Sequence, residues 1–252
     1  MSWASRRRST YLGTIFIIIV AVLVGLFYLF FNKPPTCTDG KQNGDEHGID
    51  CGGSCENLCL AQISDPVLLW SRAFKISDGI YNAVAYVENP NFSAGVSKIS
   101  YIFKLFDSEN LLVAQRKGRT FISPNGINPV FEGAIRTGQR IPARAFFEFS
   151  SMPQWEEIKN EESSLSVNGI VLSGIDFSPR IDAVLSNAGI RSISDIEVVA
   201  ILFDADGNAI AASSTFIKYL PDRSSQDIVF TWPNKFDSSP SRIEIIPRVP
   251  SD

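Results

Sequence analysis

The amino-terminal part of the chain contains one long apolar run, whereas apolar and polar residues are mixed in everything that follows. Residues Tyr11–Phe31 carry no charge. As a helix rising about 1.5 Å per residue, this run would span roughly 30 Å, which is the thickness of the hydrocarbon core of a bilayer. A helix also satisfies its own backbone hydrogen bonds in lipid. The pattern therefore predicts a transmembrane helix over residues 11–31.

Charges on either side of the apolar run predict its orientation. Arg6–Arg8 precede the run, and Lys33 is the only basic residue that follows it closely. Because basic residues are enriched on the cytoplasmic side, we expect residues 1–10 in the cytoplasm and the rest of the chain outside the cell membrane. A cleaved signal peptide is the alternative, but its apolar region should be about 7–15 residues long and end in a small-x-small cleavage site. The longer run favours an uncleaved signal-anchor.

Beyond residue 61, short apolar runs alternate with turns rich in Pro, Gly, Asn and Asp, which is typical of β-strands. Two stretches of this region match in order and spacing. The matched pairs are Asn89 with Asn187, Phe106 with Phe203, and Phe121 with Phe216, at offsets of 98, 97 and 95 residues. Near-constant spacing indicates an internal duplication. The sequence therefore predicts an all-β ectodomain of two tandem β-sandwiches, over residues 62–165 and 166–252.

Three finer predictions follow from the same pattern. Phe147–Phe149 align with Phe230–Trp232 at an offset of 83 residues, which predicts about twelve extra residues in the first copy near Ser123–Gly138, as a hairpin or edge loop. The nearly all-apolar Ile196–Phe203 predicts a central strand that is buried on both sides or lies at a domain contact. Asp204, with Asp206 and Asn208 after it, resembles the start of a calcium loop, but the spacing favours a hairpin turn.

The first copy contains Phe103-x-Leu105-Phe106-Asp107, with Asn89 closing the preceding strand. This pattern resembles the FxLYD family, an immunoglobulin-like sandwich of bacterial surface proteins, and it is also similar to the Asn-Pro-containing strand of LEA14-type domains. Phe106 replaces the tyrosine of the family, and the second copy has Ala200 in place of the first phenylalanine. The resemblance implies that the two tandem β-sandwiches are immunoglobulin-like, and it says almost nothing about a ligand.

Four cysteines lie together in the predicted extracytoplasmic stem, residues 32–61: Cys37, Cys51, Cys55 and Cys59. An even, clustered set in an oxidising compartment predicts two disulfides, and three pairings are open. Closure of each loop would supply order, at about 2–4 kcal/mol per bridge, that the few apolar residues here do not. Zinc is disfavoured because the spacing lacks paired C-x2-C knuckles.

Carboxylates and glycines share the same stem. Asp39, Asp45, Glu46 and Asp50 are candidate calcium ligands, because Ca²⁺ takes hard oxygen ligands on a permissive backbone. The spacing is not that of an EF-hand, and a polar, turn-rich loop is the alternative. The string resembles a short Cys/Asp/Gly-rich motif of extracellular regions in surface proteins, which implies no activity. Apart from calcium, we expect no cofactor.

A polar segment, Ser151–Ser166, separates the two copies. Trp155 lies within it, and we consider a single helical turn at Trp155–Ile158. Because exposed tryptophans are favoured in interfaces, Trp155 is a candidate partner-binding residue.

Charge and the absence of catalytic motifs bound the function. The only charges in residues 1–32 are three arginines, so the remainder has 20 basic and 27 acidic residues. A net charge of −7 argues against binding nucleic acid. His47 is the only histidine, and the common hydrolase and phosphate-binding motifs are absent. We therefore expect no enzyme, but a single-pass cell-envelope protein with a binding, assembly or structural role and an envelope protein as its partner.

Two alternatives stay open. One is a calcium-responsive surface stem. The other is an envelope carbohydrate-binding protein or enzyme with its site on Ser123–Gly138.

Overall fold

The computed structural model describes residues 3–31, 35–55, 58–59, 61, 63–158 and 164–250. The chain divides into two compact units, Met1–Asn57 and Leu58–Asp252. The first contains helix α1 (Trp3–Phe31) and most of the stem, with Cys37, Cys51 and Cys55, whereas Cys59 belongs to the second. The second contains all the strands.

The apolar side chains described in helix α1 are not covered by other parts of the chain. Every side chain described in it, Tyr11–Phe27, is exposed. Among residues with described side chains, no helix is both long and apolar enough to cross a membrane. The transmembrane segment over residues 11–31 is therefore not confirmed and remains a prediction from the sequence.

The second unit is built from antiparallel strands, which confirms the expected all-β class. The strands are β1 (Val67–Ser77), β2 (Ile80–Asn89), β3 (Ala94–Phe106), β4 (Leu112–Ile122), β5 (Gly126–Arg136), β6 (Arg144–Phe149), β7 (Glu156–Glu157), β8 (Leu165–Ser173), β9 (Arg180–Asn187), β10 (Ile193–Phe203), β11 (Ala209–Leu220), β12 (Ser224–Thr231) and β13 (Arg242–Arg248).

These strands form four sheets that stack face to face. Outer sheet 1 has the order β4-β3-β6, with the short β7 also paired to β3, and inner sheet 1 has the order β1-β2-β5. Inner sheet 2 has the order β11-β10-β13, and outer sheet 2 has the order β12-β9-β8. Each outer sheet encloses a core with its own inner sheet, giving sandwich 1 and sandwich 2. The two inner sheets also pack against each other.

The core of sandwich 1 lies between β2 and β3. Alternate residues of β2 point into it, among them Ala83 and Ala85, where they meet the fully buried Phe103 and Leu105 of β3. Small residues on one sheet facing large ones on the other allow close packing. Tyr101 lies at the same core, and its hydroxyl donates to Oε2 of Glu132 at 2.7 Å.

The core of sandwich 2 is larger and lies between β9 and β10. The inward face of β10 presents Val198, Ala200 and Leu202, and β9 presents Ile181 and Leu185, all fully buried. The intervening residues of β10 point the other way, toward sandwich 1. Strand β10 is therefore buried on both faces, as its apolar sequence predicts.

Sandwiches 1 and 2 meet through a third apolar cluster. Phe74 and Val84 of inner sheet 1 pack with Val199, Ile201 and Phe203 of inner sheet 2. An aromatic group completes this contact: the rings of Trp70 and Tyr86 stack at 4.9 Å, and the ring of Phe203 meets both edge-on. The two sandwiches thus share a continuous buried junction rather than being joined only by a linker.

Strand pairing in the two sandwiches corrects the alignment of the predicted repeat. In sandwich 1, Phe147 of β6 pairs with Phe103. In sandwich 2, the residue that pairs with the matching Ala200 is Ile245 of β13. Phe230 belongs instead to β12 and pairs with Ile181 of β9. The predicted match of Phe147–Phe149 with Phe230–Trp232 is therefore wrong.

The predicted insertion is wrong for the same reason. Ser123–Gly138 contains β5, which pairs along β2 and contributes Val130 and Ile135 to the core. Its counterpart in the second copy is β12, which pairs along β9 in the same way. In the described residues, each sandwich therefore has six main strands paired in the same order, and Ser123–Gly138 forms one of these six rather than an extra hairpin.

The hairpin turns after the Leu-Phe-Asp strands are confirmed. Oδ1 of Asp204 accepts hydrogen bonds from the amides of Asp206 and Asn208, at 3.0 and 2.8 Å. Oδ1 of Asp107 holds the matching turn in the first copy. Asn110 and Gly207 have φ of 64° and 80°, the left-handed backbone that such turns require.

Candidate functional site

Hydrogen bonds fix the two sandwiches around their apolar junction. The guanidinium of Arg72 on β1 donates to the carbonyl of Ala209 at 3.1 Å and to Oδ1 of Asn208 at 3.0 Å. The Asn234 amide donates to the carbonyl of Ile76 at 2.8 Å. These bonds join the β1 side of sandwich 1 to two connecting segments of sandwich 2. The junction is therefore held by directional polar contacts as well as by apolar packing.

Tyr86 contributes to both kinds of contact. Its ring lies in the apolar junction, and its hydroxyl donates to Oε2 of Glu244 on β13 at 2.6 Å. Burial, and then the hydrogen bond to this carboxylate, raise the pKa of Tyr86 well above its usual range. The pKa of Tyr101 is raised in the same way, first by burial and then by its bond to Glu132. Both phenols are held neutral.

Arg248 is the most deeply buried charged residue in the described part of the chain. It is 1% exposed at the end of β13. Its guanidinium pairs with Glu197 at 2.7 Å and crosses to sandwich 1, where it donates to Oγ1 of Thr120 at 3.0 Å and to the carbonyl of Phe121 at 2.8 Å. It also lies over the Phe121 ring, 4.3 Å from the centroid. One buried cation thus bonds β4, β10 and β13 together.

A groove opens at the rim of the junction, alongside β1. It consists of two cavities of about 650 and 710 Å³, which share Phe74, Lys75, Ile210 and Asp237 as lining residues. We call their combined volume the junction groove. Its walls come from β1, the segment before β6, the turn between β8 and β9, and the segment between β12 and β13. Clefts where two domains meet are frequent ligand sites.

The junction groove is lined by exposed apolar side chains and by charges. Ile141 in one cavity is 72% exposed, and Phe177 in the other is 83% exposed. Nζ of Lys75, which lines both cavities, lies 2.8 Å from Asp78. This bond raises the pKa of the Lys75 ammonium and lowers the pKa of the Asp78 carboxyl. Both therefore stay charged at neutral pH, and the groove can offer apolar contacts together with charges of both signs.

Ion pairing also sets the charge of exposed groups outside the junction groove. The hydrogen bond between Arg180 and Asp182 raises the pKa of the guanidinium and lowers the pKa of the carboxyl, so both stay charged at neutral pH.

The stem contains the disulfides that the cysteine pattern predicts. Cys37 and Cys55 are joined, with their Cα atoms 5.6 Å apart. Cys51 and Cys59 are also disulfide-bonded, and the described chain has no free cysteine. The bond between Cys37 and Cys55 closes a loop across 18 positions and encloses most of the acidic residues of the stem.

Three of the four candidate calcium ligands, Asp39, Glu46 and Asp50, accept hydrogen bonds from other groups of the loop. Asp50 accepts from the amide of Gly40 at 2.9 Å, and Glu46 accepts from the amide of Asn43 at 3.1 Å. Asp39 accepts from the Asn43 side chain at 2.9 Å, a bond that lowers the pKa of the Asp39 carboxyl. These contacts shape the turns of the loop, as in the polar-loop alternative.

The four acids do not converge on one point. Within the described residues, the single group of three potential metal ligands is Cys37, Glu46 and Cys55. Both of its sulfurs belong to the disulfide and cannot act as thiolate ligands. Calcium binding by Asp39, Asp45, Glu46 and Asp50 remains a prediction from the sequence.

Trp155 directly precedes strand β7, so the helical turn considered at Trp155–Ile158 is wrong. The next two residues form β7 and pair with Ala94 and Gly95 at the start of β3. The Trp155 ring is partly buried against a small cluster that includes Ile99 and Ile122. Packing thus accounts for part of this side chain, and partner binding by Trp155 stays a prediction.

Comparison with known proteins finds no relative by sequence: no family model and no curated protein matches the chain. Solved structures give partial matches. A transglutaminase from red sea bream has 7% identity and a TM-score of 0.25, over 73% of this chain and 31% of that one. The exo-chitosanase CsxA of Amycolatopsis orientalis has 9% identity and a TM-score of 0.18, over 68% of this chain and 25% of that one. A "putative beta-galactosidase" from Bacteroides fragilis has 11% identity and a TM-score of 0.21, over 85% of this chain and 38% of that one.

The chain thus spans well under half the length of these three proteins. At such TM-scores the likeness carries no argument about function.

The sequence alone does not reveal the junction groove or Arg248. Phe74 and Lys75 lie in an ordinary strand pattern, and Arg248 follows a proline close to the end of the chain. Each contacts residues more than a hundred positions away: Phe74 and Lys75 line the groove together with Ile210, and Arg248 bonds to Thr120.

Proposed function

We propose that this chain is a single-pass membrane protein that holds a rigid pair of immunoglobulin-like sandwiches outside the cell membrane, where the junction groove binds an envelope partner without catalysis. The observation that carries the proposal is the junction itself. Because apolar packing and cross-sandwich hydrogen bonds lock the two inner sheets together, the groove has preformed walls. Preformed walls reduce the entropy lost on binding.

Two features support the membrane anchor. The uncharged run of residues 11–31 has the length of a membrane-spanning helix. Within α1, the described apolar side chains are exposed on all sides, which is costly in water and favourable in lipid. Arg6–Arg8 before the run favour an N-terminus in the cytoplasm.

The stem supports the same topology. All four cysteines are disulfide-bonded, and disulfides persist in oxidising compartments outside the cytoplasm. The resemblance of Phe103–Asp107 to FxLYD domains also favours a surface location and the immunoglobulin-like assignment.

Intact cells provide the test of topology. A protease added outside should remove an epitope at the C-terminus of the full chain and leave an N-terminal epitope protected. Thiol labelling of the native protein should find no free cysteine. An inaccessible C-terminal epitope, or four reactive thiols, would contradict the proposal.

The binding role is tested in the same cells with a photo-reactive residue at Ile141, in the junction groove. A discrete cross-linked product is expected there, and a probe at the exposed Met152 serves as the control. Equal cross-linking at both positions would show that the groove is not the binding surface. Specific turnover in a hydrolase screen, abolished by substitutions in the groove, would replace the binding role with catalysis.

The two alternatives have their own tests. A carbohydrate site on Ser123–Gly138 would use the exposed positions of this segment, among them Ala134 and Arg136 on β5. Glycan binding that is lost in Arg136→Ala would favour it. The calcium alternative is tested by titrating the full chain with millimolar Ca²⁺ in a calorimeter and by measuring its melting temperature. Heat of binding and a higher melting temperature, both absent in Asp50→Ala, would favour a calcium-responsive stem.

A further inference from the structure

Basic residues are concentrated on outer sheet 1. Residues 58–252 contain 18 basic and 22 acidic residues, a net charge of −4. Strands β3, β4 and β6 nevertheless carry six of these basic residues and one acidic residue, and the short β7 adds two glutamates. Strands β8, β9 and β12 of outer sheet 2 carry one basic and two acidic residues. The two outer sheets therefore differ in the sign of their charge, and outer sheet 1 is the positive one.

Half of these basic residues lie on one strand. Strand β4 carries Arg116, Lys117 and Arg119, which are three cations in four positions, and it has no acidic residue. No described strand pairs along its side away from β3, so the three cations follow a free edge. All three are exposed, and none has an ion pair or a side-chain hydrogen bond with another described residue. We call these three residues the cationic edge.

The cationic edge presents charge on both sides of its strand. Lys117 and Arg119 pair with residues of β3 that alternate with the buried core positions, so their side chains point to the outer face of the sheet. Arg116 pairs with the buried Phe103 and leaves the strand on the other side, where it stays exposed because β4 is an edge strand. A ligand that runs along β4 can therefore reach all three cations.

Protection of a sheet edge does not account for three charges of one sign. Charged residues on edge strands prevent pairing with other chains. Strand β11 takes the corresponding edge position in inner sheet 2, and its only charged residue is Lys218. Cations as close together as those of the cationic edge repel one another, whereas a mixture of both signs would protect the edge without this repulsion. Three unpaired cations in an acidic chain instead favour an anionic ligand.

We propose that the cationic edge binds a linear acidic polysaccharide. Ammonium and guanidinium groups form charge-assisted hydrogen bonds with carboxylate, sulfate and phosphate oxygens, and a guanidinium can bind two such oxygens at once. Lys117 and Arg119 lie two positions apart, which is about 6.6 Å on an extended strand. Acidic groups on neighbouring sugars of one polymer can therefore bind both residues. The polymer follows the strand, since the cations do.

The surroundings of the cationic edge favour a polysaccharide over other polyanions. None of the large, exposed apolar side chains in the described residues lies on β3, and the one on β4, Leu112, lies at the opposite end of that strand from Arg119. Protein partners bind chiefly through apolar and aromatic anchors, membrane surfaces accept inserted apolar side chains, and single-stranded nucleic acids stack on aromatic rings. An acidic polysaccharide needs only charges and hydrogen bonds. The inference is independent of the junction groove and of membrane topology.

Fluorescence anisotropy of labelled heparin, an acidic polysaccharide, with the full chain in neutral detergent micelles tests this proposal. The double variant Lys117→Gln and Arg119→Gln should bind heparin about tenfold more weakly than wild type, because two charge-assisted contacts are lost. The matched control, Arg136→Gln and Arg223→Gln, removes the same net charge from exposed residues outside the cationic edge and should change the affinity by less than about twofold. No binding by wild type, or an equal loss in the two double variants, would overturn the proposal.

A charge-retaining variant and competition provide two further readouts. The exchange Lys117→Arg and Arg119→Lys keeps both charges and should keep the affinity for heparin within about twofold of wild type. Unlabelled polygalacturonate, which carries only carboxylates, should displace the labelled heparin, whereas neutral dextran should not. Loss of binding in the charge-retaining variant would contradict the proposal. So would displacement by phosphatidylglycerol vesicles or by oligo-dT as effective as displacement by unlabelled heparin at equal charge, since the cationic edge would then bind a membrane or a nucleic acid.

Discussion

Asn89 and Asn187, 98 positions apart, make the same three hydrogen bonds in the two sandwiches. The Asn89 amide donates to the carbonyls of Ala94 and Ser123 at 2.8 and 2.9 Å, and its Oδ1 accepts from the amide of Asn91 at 3.0 Å. Asn187 does the same with the carbonyls of Arg191 and Pro221 and the amide of Gly189, at 2.8, 3.0 and 2.9 Å. Each asparagine ties two loops at one end of its sandwich.

Replacing either asparagine should be strongly destabilising. Both side chains are buried, at 0% and 2% exposure, so Asn89→Ala or Asn187→Ala leaves buried backbone groups without partners. Each unpaired group costs about 1–3 kcal/mol, and we expect a total loss of about 2–4 kcal/mol in the free energy of unfolding. Urea unfolding of the full chain measures it. The control, Asn168→Ala at an exposed site, should lose less than about 0.5 kcal/mol.

Arg248→Met should loosen the junction between the sandwiches. The substitution keeps much of the side-chain volume but removes the bonds to Glu197, Thr120 and Phe121. Hydrogen bonds that involve a charged group contribute about 1.5–3 kcal/mol, so we expect a loss of roughly 2–3 kcal/mol. The exposed Arg116→Met is the matched control, and a loss no larger than in this control would show that the buried cation is not needed for the junction.

The stability of the protein should fall in alkaline solution because of Tyr86. Its pKa is raised in the folded protein, whereas an unfolded tyrosine has a pKa of about 10. A raised folded-state pKa gives a stabilisation that is complete below pH 10 and is lost as the pH rises from there toward the folded-state pKa, since ionisation of the phenol favours the unfolded chain.

Comparison of wild type with Tyr86→Phe over a pH series checks this expectation. In urea unfolding, the variant should be less stable near neutral pH, because the bond to Glu244 is lost. It should then show a shallower decline above pH 10. The control variant is Tyr11→Phe, which replaces an exposed tyrosine of α1 and should leave the pH dependence of stability unchanged. Parallel declines in Tyr86→Phe and wild type would contradict the prediction.

Removal of the bond between Cys37 and Cys55 should affect the stem locally. Closure of a loop across 18 positions stabilises by about 3 kcal/mol in the chain-entropy model. In the double variant Cys37→Ser and Cys55→Ser, limited proteolysis should cleave between these positions much faster than in wild type.

The strands should keep their packing in the same variant. Trp232 lies in the core of sandwich 2, at 4% exposure, so its fluorescence reports on that core. Unchanged tryptophan emission is expected, and a red-shifted spectrum would show that the sandwiches depend on this disulfide.

Several features of the protein follow from the sequence because they are local. The turns at Asp107 and Asp204 depend on side chains that bond to amides two and four residues away. The disulfides follow from an even number of clustered cysteines, although not their pairing. The burial of β10 on both faces follows from its uninterrupted apolar run, since a strand with one solvent-facing side would alternate.

The strand equivalences required the tertiary structure. Phe147–Phe149 and Phe230–Trp232 look alike because alternate aromatic residues suit any strand with one buried face. Only the pairing partners, Phe103 in one case and Ile181 in the other, distinguish β6 from β12.

The stacking of the four sheets, the junction groove and the role of Arg248 were likewise decided by contacts between distant parts of the chain. Phe74 on β1 and Phe203 on β10 each fit an ordinary strand pattern, and nothing local to either indicates that they share a cluster. A hydrophobic pattern determines which residues leave water, because burial depends on the side chain itself. Which surface buries them depends on the shapes of both sheets, and that information lies in no single segment.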